Sequence, residues 1–445
     1  MKMDRRSFLR WAGAAGAMSL VPVTAWRALA EGDRYSGPLL VTVHAGGGWD
    51  PLFFTDPKES ADYNRVTLST GTAGAIRFAD HAVDPVALGY DPLYEVEYAA
   101  NMLTNRAFFE RWGARTTVFN GVDTRTNNHD TGTRYVWSGR SAIGHPSIGA
   151  LVAAAAGGTH PLGYVSQGGY DFTAGLVALS RASSPTAMRR IAAPNLVDPT
   201  RPDGDRYLAG PAWDRVVAAQ RARLERLRSA EGLPAAQRAM RELESARLGS
   251  ADLERLVLPD ALADLPGFQL NDLERMMQQT DLAMAALRDG LSVAASLTIG
   301  GFDTHGNHDR DHVRQLAKLL RGVEYVLEQA AAQGLGDRVM VVVGSDFGRT
   351  PTYNSQNGKD HWPATSVLAI FPEGMAARFG NRVIGATDDA VRPRKLSAST
   401  LEPDDSGVPL TPAVIHRALR RFVGIEASEG AQRFPLTGED LPLCA

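Results

Sequence analysis

The sequence predicts an α/β protein with a mostly parallel central sheet that is sandwiched by helices and carries a helical insertion. Apolar runs of strand length at 38–44, 291–299 and 338–343 are separated by long segments with helical spacing. This alternation is typical of parallel strands joined by helical crossovers. The run at 338–343 is apolar without alternation, as expected of a strand that is covered on both faces.

The N-terminus is predicted to be a twin-arginine export signal over residues 1–30. Arg5 and Arg6 precede an apolar pair, an Ala/Gly-rich segment follows, and residues 28–30 form a small-x-small cleavage site. The apolar part is too short to span a hydrocarbon core of about 30 Å. We therefore expect the twin-arginine translocation machinery to deliver residues 31–445 to the periplasm or beyond as a single domain, with no membrane span in the mature protein.

Composition excludes two classes of site. The net charge of −3 offers no electrostatic case for binding nucleic acid, which normally requires a basic surface. Cys444 is the single cysteine, so the chain has neither an intrachain disulfide nor a thiolate-rich zinc site. Any bound metal must therefore use oxygen and imidazole ligands.

The remaining elements follow from hydrophobic spacing along the chain. The helices between residues 201 and 290 are expected to form an insertion or a cap, with their charges on a solvated face. Further strands are predicted at 116–119, 164–166, 175–179 and 366–371, and helices at 95–112, 147–156, 213–247, 270–287, 311–333 and 412–423.

An aspartate follows each of the three apolar runs within a few residues. Asp50 comes after a glycine turn, Asp303 comes after the run at 291–299, and Asp346 comes after the run at 338–343. If these strands are parallel neighbours, the three carboxylates emerge at one edge of the sheet, where ligands gather in open α/β folds. Neighbouring anions raise one another's pKa unless cations neutralise them. The sequence thus predicts a divalent metal at this edge.

Histidines near the same strand ends are predicted to complete the metal shell. His305 and His361 are the first choices, with His308 or His129 as further ligands. Carboxylate and imidazole suit zinc or manganese, with calcium or magnesium as alternatives. Such an ion polarises an ester oxygen and lowers the pKa of bound water to about 7, and two ions about 3.5–4 Å apart would clamp a phosphoryl or sulfuryl group.

Each of these residues also has a simpler interpretation as a helix cap, a turn acid or a hydrogen-bonded histidine. The polar loop at 120–130, which contains His129, reads equally well as a surface loop, because Asn, Asp and Thr favour turns. Arg349 and Lys359 flank the same strand ends, where cations would bind the non-bridging oxygens of an anionic ester.

Together these motifs resemble a bacterial family of twin-arginine-exported proteins that is catalogued as a domain of unknown function. That family is distantly similar to the alkaline phosphatase and sulfatase superfamily. The resemblance covers most of the mature chain. It is carried by Gly-Gly-x-Asp ending at Asp50, His129 with Trp137-Ser-Gly, Phe302-Asp-Thr-His305-Gly-Asn, Asp346-Phe-Gly-Arg-Thr350 and Asp360-His361-Trp362.

The superfamily pattern implies an early Asp, a Ser, Thr or modified Cys nucleophile, an Asp with His, a second Asp followed by His or Asn, and a late His. Asp50, Asp303, Asp346 and His361 match in order, but Phe347 replaces one ligand and Asn307 another. The segment 124–129 contains no serine or cysteine at the nucleophile position, and a threonine serves there in some relatives.

The resemblance and the residues lead to one hypothesis and one rival. The hypothesis is an exported metal-dependent hydrolase of a small or polymer-borne phosphate, sulfate or related ester. Thr126 or a metal-activated water is its nucleophile, His129 assists, and Arg349 binds the anion. The rival is a non-catalytic exported binding or scaffold protein that retains the fold. The metal ligands of the hydrolase are expected to be Asp50, Asp303, His305, His308, Asp346 and His361.

Overall fold

An eight-stranded sheet forms the centre of the fold. The computed structural model describes residues 37–82, 102–157, 160–181, 185–201, 203–233, 236–237, 240 and 272–444. The predicted export signal, the start of the helix predicted at 95–112 and the end of that predicted at 213–247 lie outside these residues.

The strands and helices are numbered in chain order over the described residues. The strands are β1 (Leu39–Ala45), β2 (Thr70–Ala73), β3 (Ile76–Ala79), β4 (Thr116–Asp123), β5 (Tyr164–Ser166), β6 (Leu179–Arg181), β7 (Ala294–Ile299), β8 (Val339–Ser345), β9 (Gly348–Arg349), β10 (His361–Trp362), β11 (Ala364–Ile370), β12 (Arg382–Ile384), β13 (Lys395–Leu396) and β14 (Val408–Pro409). The helices are α1 (Asn105–Trp112), α2 (His129–Ser138), α3 (Ile148–Ala155), α4 (Pro185–Ala192), α5 (Gly210–Ala230), α6 (Asp272–Arg288), α7 (His308–Ala332), α8 (Glu373–Phe379), α9 (Pro412–Phe422) and α10 (Glu429–Arg433).

The main sheet has the order β12-β4-β11-β8-β1-β7-β5-β6. Only β11 runs against its neighbours β4 and β8, and the other pairs in this sheet are parallel. This arrangement confirms the predicted mostly parallel α/β sheet. The short pairs β2-β3, β9-β10 and β13-β14 lie outside it.

The three strands that precede the aspartates are immediate neighbours at the centre of the sheet. In the parallel register, Ala45 at the end of β1 pairs with Ile299 on one side and Ser345 on the other. Their carboxyl ends are therefore level, and the segments that follow them emerge side by side. Every residue of β1 and β8 is buried, which explains the apolar run without alternation in β8.

Helices cover this central sheet. Helix α6 packs against α7 and β7, and α3 packs against β7 and β1. The two described helices of the predicted insertion differ, because α6 is largely buried whereas α5 buries only Leu224. Helix α6 therefore belongs to the layer that covers the sheet.

Some predicted boundaries shift in the structure. The strand predicted at 175–179 is instead β6, because Gly175 adopts a left-handed φ of +69° in the turn that precedes it. The strand predicted at 116–119 continues to Asp123 as it pairs with β11. The helix predicted at 311–333 begins three residues earlier, after Asn307 in the left-handed region.

Candidate metal centre

His129, Asp303 and His361 come together beyond the carboxyl edge of the sheet. Each offers a ligand atom, and these atoms all lie within 4.8 Å of one another. His129 is the first residue of α2, Asp303 follows β7, and His361 lies in β10. We call these three residues the metal-ligand cluster.

Hydrogen bonds locate a proton on the Nδ1 atom of both cluster histidines, so the neutral form of each imidazole carries its lone pair on Nε2. His361 Nδ1 lies 2.8 Å from the carbonyl of Asn127, which can only accept, so Nδ1 carries the proton. His129 Nδ1 lies 2.6 Å from Asp346 Oδ2, an ionised carboxylate that also accepts. The two Nε2 lone pairs then face Asp303, at 3.1 Å from Oδ1 for His361 and 3.6 Å from Oδ2 for His129.

His305 repeats this arrangement beside the cluster. Its Nδ1 lies 2.9 Å from Asp360 Oδ1, and its Nε2 lies 3.1 Å from Asp303 Oδ1. The Nε2 atoms of His305 and His361 are only 3.0 Å apart. With both Nδ1 atoms protonated, the Nε2 atom of His305 can accept a proton beside the cluster.

These donors fit a divalent metal. Imidazole nitrogens with a carboxylate are the ligands that zinc prefers when thiolates are absent. Metal-bound histidines generally donate their second N–H to a carboxylate or a backbone carbonyl, as all three histidines do here. The side chains of His129, Asp303 and His305 are 39%, 46% and 43% exposed, so the centre is accessible to a solute.

Asp346 lies behind the cluster as an orienting group. It is buried, accepts from Gly47 N–H at 3.1 Å and holds His129. Burial opposes its ionisation, but contacts with His44 and His129 outweigh burial and lower the pKa of Asp346 to about 2. The sequence predicts that Asp346 binds metal directly, whereas its Oδ2 atom is hydrogen-bonded to His129 in the structure.

His44 contacts the other oxygen of Asp346 and was not singled out from the sequence. Trp137 Nε1 donates to His44 Nδ1 at 2.9 Å, so the proton of neutral His44 resides on Nε2. This Nε2 lies 3.1 Å from Asp346 Oδ1. Its approach is off the axis of the N–H bond, so Oδ1 has no full hydrogen bond.

Arg349 differs from its expected role as an anion-binding residue. Its guanidinium is fully buried, and all three nitrogens donate to protein acceptors. Nε donates to the Gly48 carbonyl at 2.8 Å, Nη1 to the Lys359 carbonyl at 3.0 Å, and Nη2 to Asp303 Oδ1 at 2.6 Å and to the Gly47 carbonyl. Burial opposes ionisation of Asp303, but Arg349 together with His361 and His305 outweighs burial and lowers the pKa of that carboxyl. Arg349 thus holds Asp303 in place.

Asp50 and His308 also differ from expectation, because the structure places them in a separate buried group. Asp50 Oδ2 lies 2.7 Å from Lys359 Nζ and 3.0 Å from His308 Nε2, and all three residues are fully buried. Burial opposes ionisation of Asp50, but Lys359 and His308 together outweigh it and lower its pKa. Thr304 and His312 complete this group, which we call the Asp50 ring.

Two of the three carboxylates are therefore neutralised by cations of the protein itself, and the third accepts hydrogen bonds within the protein. Lys359 accompanies Asp50, Arg349 accompanies Asp303, and histidines accompany Asp346. The crowding of anions inferred from the sequence does not by itself demand a metal. The case for a metal rests instead on the convergence of Nε2 atoms on Asp303.

Thr126, the expected nucleophile, and Phe347, which replaces an expected metal ligand, take different positions relative to the metal-ligand cluster. Thr126 Oγ1 accepts from the Asn128 backbone at 3.1 Å, and no described contact joins this hydroxyl to the metal-ligand cluster. Phe347, at the position of the missing ligand, packs its ring against His361 and His129 with centroids 4.4 and 4.8 Å apart. Its apolar ring limits the cluster on that side.

Comparisons with known proteins agree with the export signal and the family. The model of the twin-arginine translocation signal sequence matches residues 2–22, so the protein is exported to the periplasm or beyond. In the part of the chain that the structure describes, no helix combines the length and apolarity needed to cross a membrane. No curated protein matches the chain in sequence.

Fold and site thus define an exported α/β protein with a histidine–aspartate cluster at the carboxyl edge of its sheet. A family model described as "Protein of unknown function (DUF1501)" matches residues 38–394. The chain belongs to this family, which confirms the resemblance inferred from its motifs.

Solved structures similar to this chain are distant. The crystal structure of Ps i-CgsB in complex with k-i-k-neocarrahexaose is 9% identical to this chain in sequence, with a TM-score of 0.39. The alignment covers 91% of this chain and 75% of that protein chain. The PsFucS1 sulfatase from Pseudoalteromonas sp. has 10% identity, covers 95% of this chain and 75% of its own, and gives a TM-score of 0.37. At this distance the likeness carries no argument about the site.

Proposed function

We propose that the protein is an exported, metal-dependent hydrolase of phosphate, sulfate or related esters. One observation carries the proposal, namely that the Nε2 atoms of His129 and His361 converge on Asp303 at an exposed edge while their Nδ1 atoms contact acceptors. Three protein ligands leave a coordination position open, as in catalytic rather than structural zinc sites. The ester class is what the resemblance of these motifs to the alkaline phosphatase and sulfatase superfamily implies.

The ligands would hold zinc or manganese, and the residues behind them would fix their orientation. A divalent ion in such a site supplies positive charge that polarises an ester oxygen and acidifies water. Asp346 and the Asn127 carbonyl keep His129 and His361 in the tautomer that presents Nε2. Arg349 keeps Asp303 ionised and correctly placed.

His305 is the residue placed to move a proton. Asp360 holds its Nδ1 proton, so its exposed Nε2 accepts, and this atom lies beside the cluster. In the proposed reaction, His305 Nε2 takes a proton from the attacking water as a general base. Thr126, whose hydroxyl is engaged by a backbone N–H, is not required as the nucleophile.

A second candidate function is metal binding without turnover. It is favoured by Arg349, which is fully buried and saturated with protein acceptors, so it is not available to bind a substrate anion. In this case the exported protein would capture or store an ion, or use it to recognise a ligand. Metal content and ester turnover separate the two candidates.

The test measures both properties on the same purified protein. Zinc and manganese are counted by mass spectrometry, and turnover is assayed with aryl phosphate and aryl sulfate esters. We expect one ion per chain and turnover of one ester class. His361→Ala and Asp303→Ala should lose both, whereas His305→Ala should keep the ion and lose about 10²–10⁴-fold in rate.

His160→Ala is the matched control. His160 precedes β5 and contacts the Gly290 carbonyl before β7, so it lies at the opposite edge of the sheet. This variant should keep both the ion and the turnover. An ion without turnover would leave the second candidate, and a protein without stoichiometric metal would refute the proposed centre.

A further inference from the structure

The Asp50 ring is a closed circuit of hydrogen bonds whose direction is determined by its members. Asp50 N–H donates to His312 Nε2 at 2.8 Å, so the His312 proton resides on Nδ1 and is directed at Thr304 Oγ1, 3.0 Å away. The Thr304 hydroxyl then donates to His308 Nδ1 at 2.6 Å, and His308 Nε2–H returns to Asp50 Oδ2 at 3.0 Å. The Thr304 hydroxyl is the only link between the two imidazoles in this circuit.

The ring joins the two loops that carry the metal-ligand cluster. Thr304 stands between Asp303 and His305, and Lys359 stands two residues before His361. The backbones of the two loops also meet, since Lys359 N–H donates to the Thr304 carbonyl at 3.1 Å. The loops are therefore joined through their backbones and the His305–Asp360 contact as well as through the ring.

Side chains that are adjacent in sequence on these loops differ in burial, because some lie in the buried ring and others lie at the exposed metal centre. Thr304 is 6% exposed and Lys359 is fully buried, both in the ring. The side chains of Asp303, His305 and His361, in contrast, are 46%, 43% and 21% exposed at the metal centre. A displacement of the buried residue therefore shifts its exposed neighbours.

We propose that the Asp50 ring is a positioning device for the metal centre, with the Thr304 hydroxyl as its central link. The inference rests on the proposed metal centre. In this arrangement Lys359 lies beside Asp50, where the sequence predicts a metal ion. The ring fixes the loop that carries Asp303 and His305 relative to the loop that carries His361. Thr304 is a positioning residue, because it contacts neither the ion nor the substrate.

Two substitutions at one position test the proposal. Thr304→Val keeps the shape of the side chain and removes the hydroxyl, whereas Thr304→Ser keeps the hydroxyl. The zinc dissociation constant is measured at 25 °C by competition with a chromophoric chelator, and the visible spectrum of the cobalt-loaded protein reports ligand geometry. We expect Thr304→Val to raise the dissociation constant by about 10–100-fold and to alter the spectrum, as loss of outer-shell support does elsewhere. Thr304→Ser should behave as wild type.

The outcomes distinguish this inference from the proposed function. If folded Thr304→Val binds zinc with wild-type affinity and gives the wild-type cobalt spectrum, the ring only stabilises the fold and the inference is overturned. This holds even if the variant has a lower melting temperature. Thr304→Ala gives the same comparison should Thr304→Val fail to fold. Nitrogen-15 NMR of wild-type imidazoles must also find His308 protonated on Nε2 and His312 on Nδ1, and the reverse assignment overturns the ring. Absence of zinc binding in wild type would instead refute the metal centre on which the inference rests.

Discussion

Replacing Lys359 with methionine tests the electrostatic account of the buried edge most severely. Lys359 Nζ lies 2.7 Å from Asp50 Oδ2 and 2.6 Å from the Tyr63 carbonyl, and neither charged side chain is exposed. Methionine fills a similar volume but leaves the Asp50 carboxylate buried without its cation. Breaking one side of a buried pair typically costs about 3–5 kcal/mol. We expect a loss of that order in the free energy of unfolding at neutral pH.

The assay is urea unfolding in the presence of a chelator, so that metal binding does not contribute. The loss should also depend on pH. Without Lys359, burial raises the pKa of Asp50, so the penalty is present while Asp50 is ionised and fades as pH falls through the raised value. The difference in unfolding free energy between wild type and Lys359→Met should therefore become smaller as pH falls from neutral into the acid range.

Lys395→Met provides the matched control. Lys395 is exposed in β13, and surface substitutions of this kind usually change stability by less than about 0.5 kcal/mol. A loss below about 1 kcal/mol in Lys359→Met, or a gap that stays constant with pH, would refute the claim that Lys359 neutralises Asp50 in the folded protein.

Two further predictions concern the residues behind the metal-ligand cluster. His44→Gln keeps a donor near the position of Nε2 and should retain zinc affinity. His44→Asn keeps only the Nδ1-like acceptor for Trp137 and should raise the zinc dissociation constant, measured by chelator competition, by about 10–100-fold. Equal zinc affinities of the two variants would contradict a role of His44 that acts through Asp346. The pKa of Asp346 is lowered to about 2, so its ionised form contributes about 2 kcal/mol of stability that is present above about pH 4 and lost as pH falls through 2. Acid titration of the unfolding free energy should show that this component is missing in Asp346→Asn, and identical acid profiles would count against it.

The centre of the fold could be predicted from sequence because its signals are local. The runs that became β1, β7 and β8 are apolar at nearly every position, and each ends at a glycine or a polar turn. Their adjacency followed from the helices between them. The antiparallel direction of β11 has no comparable local signal, since it depends on pairing with β4 and β8.

The candidate site could be predicted only in part, because residue type specifies charge but not depth. Asp303, His129 and His361 were expected near one another, and the structure brings them together. Lys359 and Arg349 were expected to face a substrate, but tertiary packing buries both and pairs each with a carboxylate. Because Asp50 is paired with buried Lys359, it does not lie at the metal centre.

Three supporting residues were missed, and each leaves a sequence signal. His44 lies in a buried strand just before a glycine turn, so its side chain needs a polar partner. His312 follows His308 by four positions, which places both imidazoles on one face of α7. Asp360 directly precedes His361, at the start of a short strand pairing. Their partners lie far away in sequence and emerge only from the fold.

The most direct test of the metal centre is a crystal structure of the exported protein with zinc, with anomalous scattering measured at the zinc edge. The account predicts one strong peak within about 2.0–2.2 Å of His129 Nε2, His361 Nε2 and an Asp303 oxygen. It also predicts that this peak is lost in His361→Ala. A peak beside Asp50 and His308, or no ordered zinc at all, would contradict it.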